Sequence, residues 1–96
     1  MKRIQFSERA LNDLQEIKRY TIDCWSKEQY VAYRDELINA IYALPDKSRL
    51  LSFSQYRNYS YIHCLHHYIF FRLTGNELYI IRILHERQRF AKHLVP

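Results

Sequence analysis

Hydrophobic positions along the chain change rhythm, and the changes mark its elements. In Lys2 to Phe6 every second residue is apolar, with Ile4 and Phe6 on one side, which predicts a short first strand. Ser7 can then cap a helix through its hydroxyl, with Glu8 in the first turn facing the positive end of the dipole. Leu11, Leu14, Ile17 and Tyr20 or Thr21 recur at near-helical spacing, and Asp13, Gln15, Glu16 and Lys18 fill the other faces. A break falls at Cys24-Trp25-Ser26. Ser26 and Gln29 have the spacing of a capping box, and Trp25 and Tyr30 that of a hydrophobic staple. A second helix is expected from Ser26, with Tyr30, Tyr33, Leu37, Ile41 and Leu44 as its stripe and Pro45 as its end. Two helices with so tight a break should form an antiparallel hairpin.

After the polar loop PDKSRLLSFSQ, strand patterns run from Tyr56 to His63, His67 to Leu73 and Leu78 to Leu84. Thr74-Gly75-Asn76-Glu77 reads as the hairpin turn between the last two. The order strand, helix, helix, strand, strand, strand makes one α+β domain over residues 1–96. If Leu73 pairs with Leu78, one face carries Leu73, Leu78, Phe71, Ile80, Ile69 and Leu84, with His67 and Arg82. The other carries Phe70, Ile81, Tyr68 and Ile83, with Arg72 and Tyr79 at one end. Both faces are apolar, and a helical hairpin covers only one. The expectation is a partner segment along the uncovered face.

Composition narrows the class. Apolar residues at 48% supply a core, and the single glycine and two prolines imply short connections. A formal charge of +5, from 15 Lys and Arg against 10 Asp and Glu, favours an acidic partner. Cys24 and Cys64 are too few for a disulfide framework. The opening MKRIQFSERA lacks the apolar run of a signal peptide, and no segment reaches the ~18 apolar residues of a membrane span. The chain is expected to be soluble and cytoplasmic.

Candidate chemistry concentrates near the end of the last strand, YIIRILHERQRF. His63, Cys64, His66 and His67 suggest metal ligands, but alternation sends His66 and His67 to opposite faces. The assumed register sets His66 opposite His85, and two ligands do not make a zinc site, so no metal and no cofactor is expected. Cys64 lacks an orienting acid or oxyanion loop, and no glycine-rich phosphate loop is present. Arg72, Arg82, Arg87, Arg89, His67, His85 and Glu86 contain the residue types for cleaving RNA through its 2′-hydroxyl: a base, an acid and cations for the developing charge. Types without geometry also suit a solvated or partner-binding end.

The chain resembles the RelE/ParE toxin superfamily, and its ParE branch in particular. The resemblance rests on FSERALNDLQEIKRYTIDCW, where Ala10, Asp13, Leu14, Ile17, Tyr20 and Trp25 match the helix pattern, on HYIFFRL, and on LYIIRILHERQ with Leu-His-Glu-Arg ending at Arg87. It implies a short first strand, a helical hairpin and a curved three-stranded antiparallel sheet. It also implies a toxin of a type II toxin–antitoxin module, neutralised by a ParD-like antitoxin whose C-terminal segment fills its apolar grooves. ParE-like members are understood to poison DNA gyrase with no catalytic site, whereas RelE-like members cut mRNA on the ribosome and alone imply direct nucleic-acid contact. YSYIHCLH stands where the RNA-cleaving enzymes tend to carry Lys or Arg, and no tyrosine follows Tyr79. Ser60 replaces the second residue of a Tyr-Arg pair frequent in ParE relatives, with Arg57 nearby. The expectation is therefore a gyrase inhibitor with no catalytic residues; a RelE-like activity would use His85, Arg82 and Arg87. Arg57, Arg72, Arg82, His85, Arg87 and Arg89 are candidates for target or antitoxin contact, and Leu11, Leu14 and Trp25 for structural or antitoxin-facing roles.

Overall fold

The computed structural model describes residues 3–47, 54–56 and 59–88; Arg57 and Arg89 lie outside them. The order is β1 (Arg3–Phe6), α1 (Glu8–Cys24), α2 (Lys27–Lys47), β2 (Ser54–Tyr56), β3 (Tyr59–Cys64), β4 (His67–Thr74) and β5 (Glu77–His85). The α+β class, with one strand, two helices and then strands, is that expected from the sequence. The strands join in one sheet ordered β1-β5-β4-β3-β2, with β1 parallel to β5 and the remaining pairs antiparallel. The expected strand from Tyr56 to His63 is two strands, because the chain reverses and Tyr56 pairs with Tyr59.

Ser7 caps α1 by accepting the Ala10 N–H at 3.0 Å, and its hydroxyl donates to the Ile81 carbonyl at 2.6 Å. One side chain thus starts the helix and ties it to β5. Ser26 Oγ likewise accepts the Gln29 N–H at 3.0 Å. Trp25 remains 70% exposed, which leaves little of its ring for the expected staple. Pro45 does not end α2, whose helical backbone continues to Lys47; in a final turn the missing N–H removes only one bond.

Both helices lie on one face of the sheet. Ala10 and Ile17 of α1, with Leu37, Ile41 and Leu44 of α2, pack with Ile69, Phe71, Leu78, Ile80 and Ile83. Leu11 and Tyr20 fall outside this stripe, at 50% and 65% exposure. Ala10 and Leu14, not these two, take the inward positions of the helical repeat. No helix among the described residues is long and apolar enough to cross a membrane.

The β4–β5 register begins as expected, with Leu73 opposite Leu78, and then shifts at a bulge: Phe71 faces Ile80 but Phe70 faces Arg82. The extra residue in β5 advances its alternation by one. Ile83 therefore joins the helix-side core and Leu84 the opposite face, reversing their expected places. For the same reason His85 lies opposite His67, not His66. The second face is not bare. Phe70 and Leu84 are fully buried, and the half-buried Tyr59, Tyr61, Tyr68 and Ile81 pack against them.

Candidate partner-binding groove

Polar side chains gather at one end of the sheet. Four of the five histidines, His63, His66, His67 and His85, meet there, on the β3–β4 turn and the adjoining strand ends. An open groove runs between α1, the α1–α2 junction, that turn and the end of β5; Arg82, His85, Arg87 and Trp25 all line it.

Asp13 organises the floor. Its carboxylate accepts Arg82 Nε and Nη2, each at 2.8 Å, and the Ile83 N–H at 2.9 Å. Both side chains are only 13% exposed. A two-pronged pair so shielded is strong and directional. The bond to Asp13 raises the Arg82 pKa further, so its charge is permanent and committed.

Beside it, the His66 N–H donates to Tyr33 Oη at 3.1 Å, and the same hydroxyl is hydrogen-bonded to His67 Nδ1 at 2.5 Å. Burial, then the facing His85 and His66, depress the His67 pKa to about 4. The His67 and His85 rings meet edge to face, with centroids 5.1 Å apart. His85 Nδ1 accepts the Arg87 N–H at 3.1 Å, and the His85 N–H donates to Gln88 Oε1 at 2.7 Å. Outside this layer, Glu86 bridges His66 Nδ1 at 3.2 Å and His63 Nε2 at 3.0 Å. Those two bonds, His66 first, hold its carboxyl below the ordinary range.

A general base needs an accessible lone pair and a pKa near the working pH. His67 Nδ1 is occupied and His85 Nδ1 is taken by a backbone amide, while the Arg82 guanidinium is bound to Asp13. Burial pushes the Cys64 thiol up, away from nucleophilic use. Among the described residues, no three His, Cys, Asp or Glu side chains converge as metal ligands. The arrangement is ordered and largely satisfied internally, which suits a surface of defined shape.

Of the residues expected to form a site, the groove unites Arg82, His85, Arg87 and Trp25. Arg72 sits towards the other end of β4, its guanidinium 5.4 Å from the Tyr59 ring centre. Leu14 packs against the core, while Leu11 is half exposed outside the groove lining. Sequence reasoning did not single out Asp13, Tyr33 or Leu65 as site residues. Asp13 and Tyr33 act through partners 69 and 34 residues away, and only the fold brings those partners near.

The model of the family described as ParE toxin of type II toxin–antitoxin system, parDE, matches residues 4–90. A solved chain of the chromosomal ParDE TA system from P. aeruginosa is similar, with a TM-score of 0.76 and 17% identity over 88% of this chain and 96% of that one. A chain of the E. coli DinJ–YafQ complex is similar with a TM-score of 0.63 and 14% identity, over 99% of this chain and 100% of that one. At such identities the two structures speak to fold alone. No curated protein sequence matches the chain.

Proposed function

Because this chain belongs to the ParE toxin family of type II toxin–antitoxin systems, we propose that it acts in the cytoplasm by binding DNA gyrase and stabilising the cleaved-DNA intermediate. Its activity is checked by a ParD-like antitoxin, in keeping with a family whose toxins pair with a cognate antitoxin. The observation that carries the gyrase reading is the closure of the Asp13–Arg82 pair. Arg82, one of the arginines that line the groove, is already held by a carboxylate 2.8 Å away, in a largely buried position. Phosphoryl transfer needs cations free to meet developing charge, and Arg82 is not free to do so, whereas a binding surface needs fixed shape and pre-set charges. His67, neutral and bonded through Nδ1, supports the same conclusion.

The test pairs two assays on the same preparation: gyrase supercoiling with trapping of cleaved DNA, and ribosome-dependent mRNA cleavage. Inhibited supercoiling with accumulated cleavage complex is expected, and intact transcripts. Cut transcripts with untouched gyrase would sink the proposal in favour of RNA cleavage. His85→Ala sharpens the choice. Loss of a general base would typically cost ~100-fold or more in rate, while one contact in a binding surface weakens inhibition far less.

A further inference from the structure

We infer that the end of the sheet far from the groove touches DNA directly. On the face opposite the helices, Arg72 meets a phosphate of a single strand whose bases lie against Tyr59 and Tyr79. The setting, a cleaved duplex, rests on the gyrase reading; the contact itself is to nucleic acid and not to gyrase.

From Lys47 to Asn76 the chain has four Lys or Arg and no Asp or Glu. The strands β2, β3 and β4 all fall inside this stretch and are neighbours in the sheet, so half of it carries no carboxylate. Such a bias favours an anionic partner. Of the four cations, Arg72 is the one whose side chain is described.

Sheet register aligns a row across four strands. Ser60 pairs with Phe71, which sets Tyr59 beside Arg72; Arg72 pairs with Tyr79, and Tyr79 with Gln5. Phe71, Leu78, Ile80 and Ile4 point into the helix-side core, so alternation turns the row to the other face. Arg72 is exposed, Tyr59 and Tyr79 partly so, and the guanidinium stacks over the Tyr59 ring. No described carboxylate pairs with Arg72. Glu77 is engaged elsewhere: it accepts Gln5 Nε2 at 3.2 Å, and its hydrogen bond with Tyr79 raises that phenol's pKa. Arg3 lies opposite Glu77 in the register and is exposed, so the end carries two cations, Arg3 and Arg72, against one carboxylate.

An acidic peptide would answer the charge alone. A planar cation stacked on one tyrosine, with a second tyrosine on its other side, also offers flat π surfaces, the combination on which single-stranded nucleic acid is held. Duplex DNA hides its base faces, whereas a cleaved duplex can present them. Farther along the same face Phe70 and Leu84 are fully buried, which confines the contact to this end.

The test measures fluorescence anisotropy of a labelled oligothymidylate, about 20 nucleotides long, with full-length toxin across a range of salt. Wild-type toxin is expected to bind, and Arg72→Ala and Tyr59→Leu should each raise Kd by about 5-fold or more. Arg72→Ala should also lower the log–log salt slope by about 0.7, the share of one phosphate. Arg72→Lys keeps the charge without the flat guanidinium and should recover the slope but not the affinity. Arg34→Ala removes the same charge from α2, where it pairs with Asp35, and should stay within about 2-fold of wild type. Arg72 is exposed, so its variants should melt within about 3 °C of wild type and decide the matter even if Tyr59→Leu is unstable.

The proposal is overturned if wild-type toxin does not bind, if Arg72→Ala binds as well as wild type, if Arg34→Ala loses as much, or if Arg72→Lys regains full affinity. Oligouridylate bound about 10-fold more tightly would assign the face to RNA and overturn it too. Where wild-type toxin traps cleaved DNA, Arg72→Ala should still bind gyrase in the absence of DNA yet trap less. Loss of that DNA-free binding would make the face a protein contact, and it or unchanged trapping overturns the proposal. A toxin that ignores gyrase but binds the oligonucleotide through Arg72 would refute the gyrase reading and uphold this one.

Discussion

The two hairpin turns at the ends of β4 have the same length but opposite chemistry. At Thr74–Glu77, glycine occupies the left-handed position, and an added Cβ would meet nothing within 4 Å. At Cys64–His67, leucine occupies it, between a tyrosine of α2 and a glutamate beyond β5. One end follows local backbone preference. The other overrides it with tertiary bonds and collects the histidines, the Asp13–Arg82 pair and the exposed aromatics. The difference teaches that tertiary bonds can hold a turn that local backbone preference would not choose.

The largest effect is expected where the groove end is held to α1. Asp13→Ala would leave Arg82 and the Ile83 N–H without their acceptor in a shielded site and should cost about 3 kcal/mol or more in urea denaturation. A cost below ~1 kcal/mol would mean that water replaces the carboxylate, so that this end is no more dependent on tertiary bonds than the other.

Acid should come next and should act on the groove end. The folded-state pKa of His67, about 4, lies below the ordinary ~6.5, so between these values the unfolded chain binds more protons at this site. The associated stability is fully present above about pH 6.5 and is lost as pH falls towards 4. The loss should be roughly 2 to 3 kcal/mol, discounted for the ring's partial exposure. Denaturant titrations from pH 7.5 to 4 would show it, and His67→Gln should flatten that part of the profile. An unchanged slope in the variant would assign the acid sensitivity to other groups.

Tyr33→Phe removes both the acceptor for the His66 N–H and the hydrogen-bond partner of His67 Nδ1 while keeping the ring. It should cost about 1–2 kcal/mol and speed hydrogen exchange at the His66 amide. Protection unchanged from wild type would show that the turn is not held through Tyr33. The smallest change belongs to the far turn. Gly75→Ala meets no atom, so only backbone preference opposes it, and a loss of about 1 kcal/mol is expected. Thermal melts of Gly75→Ala beside Leu65→Gly would compare the same conformational conflict introduced at one end and relieved at the other.

Much of this fold was legible because its signals are local. Ser7 and Ser26 announce helix starts through bonds that span three residues, and both form. Gly75 marks its hairpin turn for an equally local reason. The Pro45 signal was local as well, but one missing N–H does not decide where a final turn ends. The bulge at Phe70/Phe71 left no comparable mark, since Ile80, Ile81, Ile83 and Leu84 suit either face. That single slip moved His85 from His66 to His67 and exchanged the faces of Ile83 and Leu84. The expected uncovered face consequently became a second small core, with tyrosines packed against Phe70 and Leu84.

By itself the sequence determined the class, the succession of strand, helical hairpin and strands, the helix caps, the glycine turn and the family, because periodicity, capping and turn chemistry act over a few neighbouring residues. Tertiary structure alone decided that Asp13 would claim Arg82, that Tyr33 would bond His67, and that Leu65 would stand in a position suited to glycine. Each depends on groups brought within bonding distance by sheet register and helix docking, and a bond across 69 residues has no local pattern to betray it.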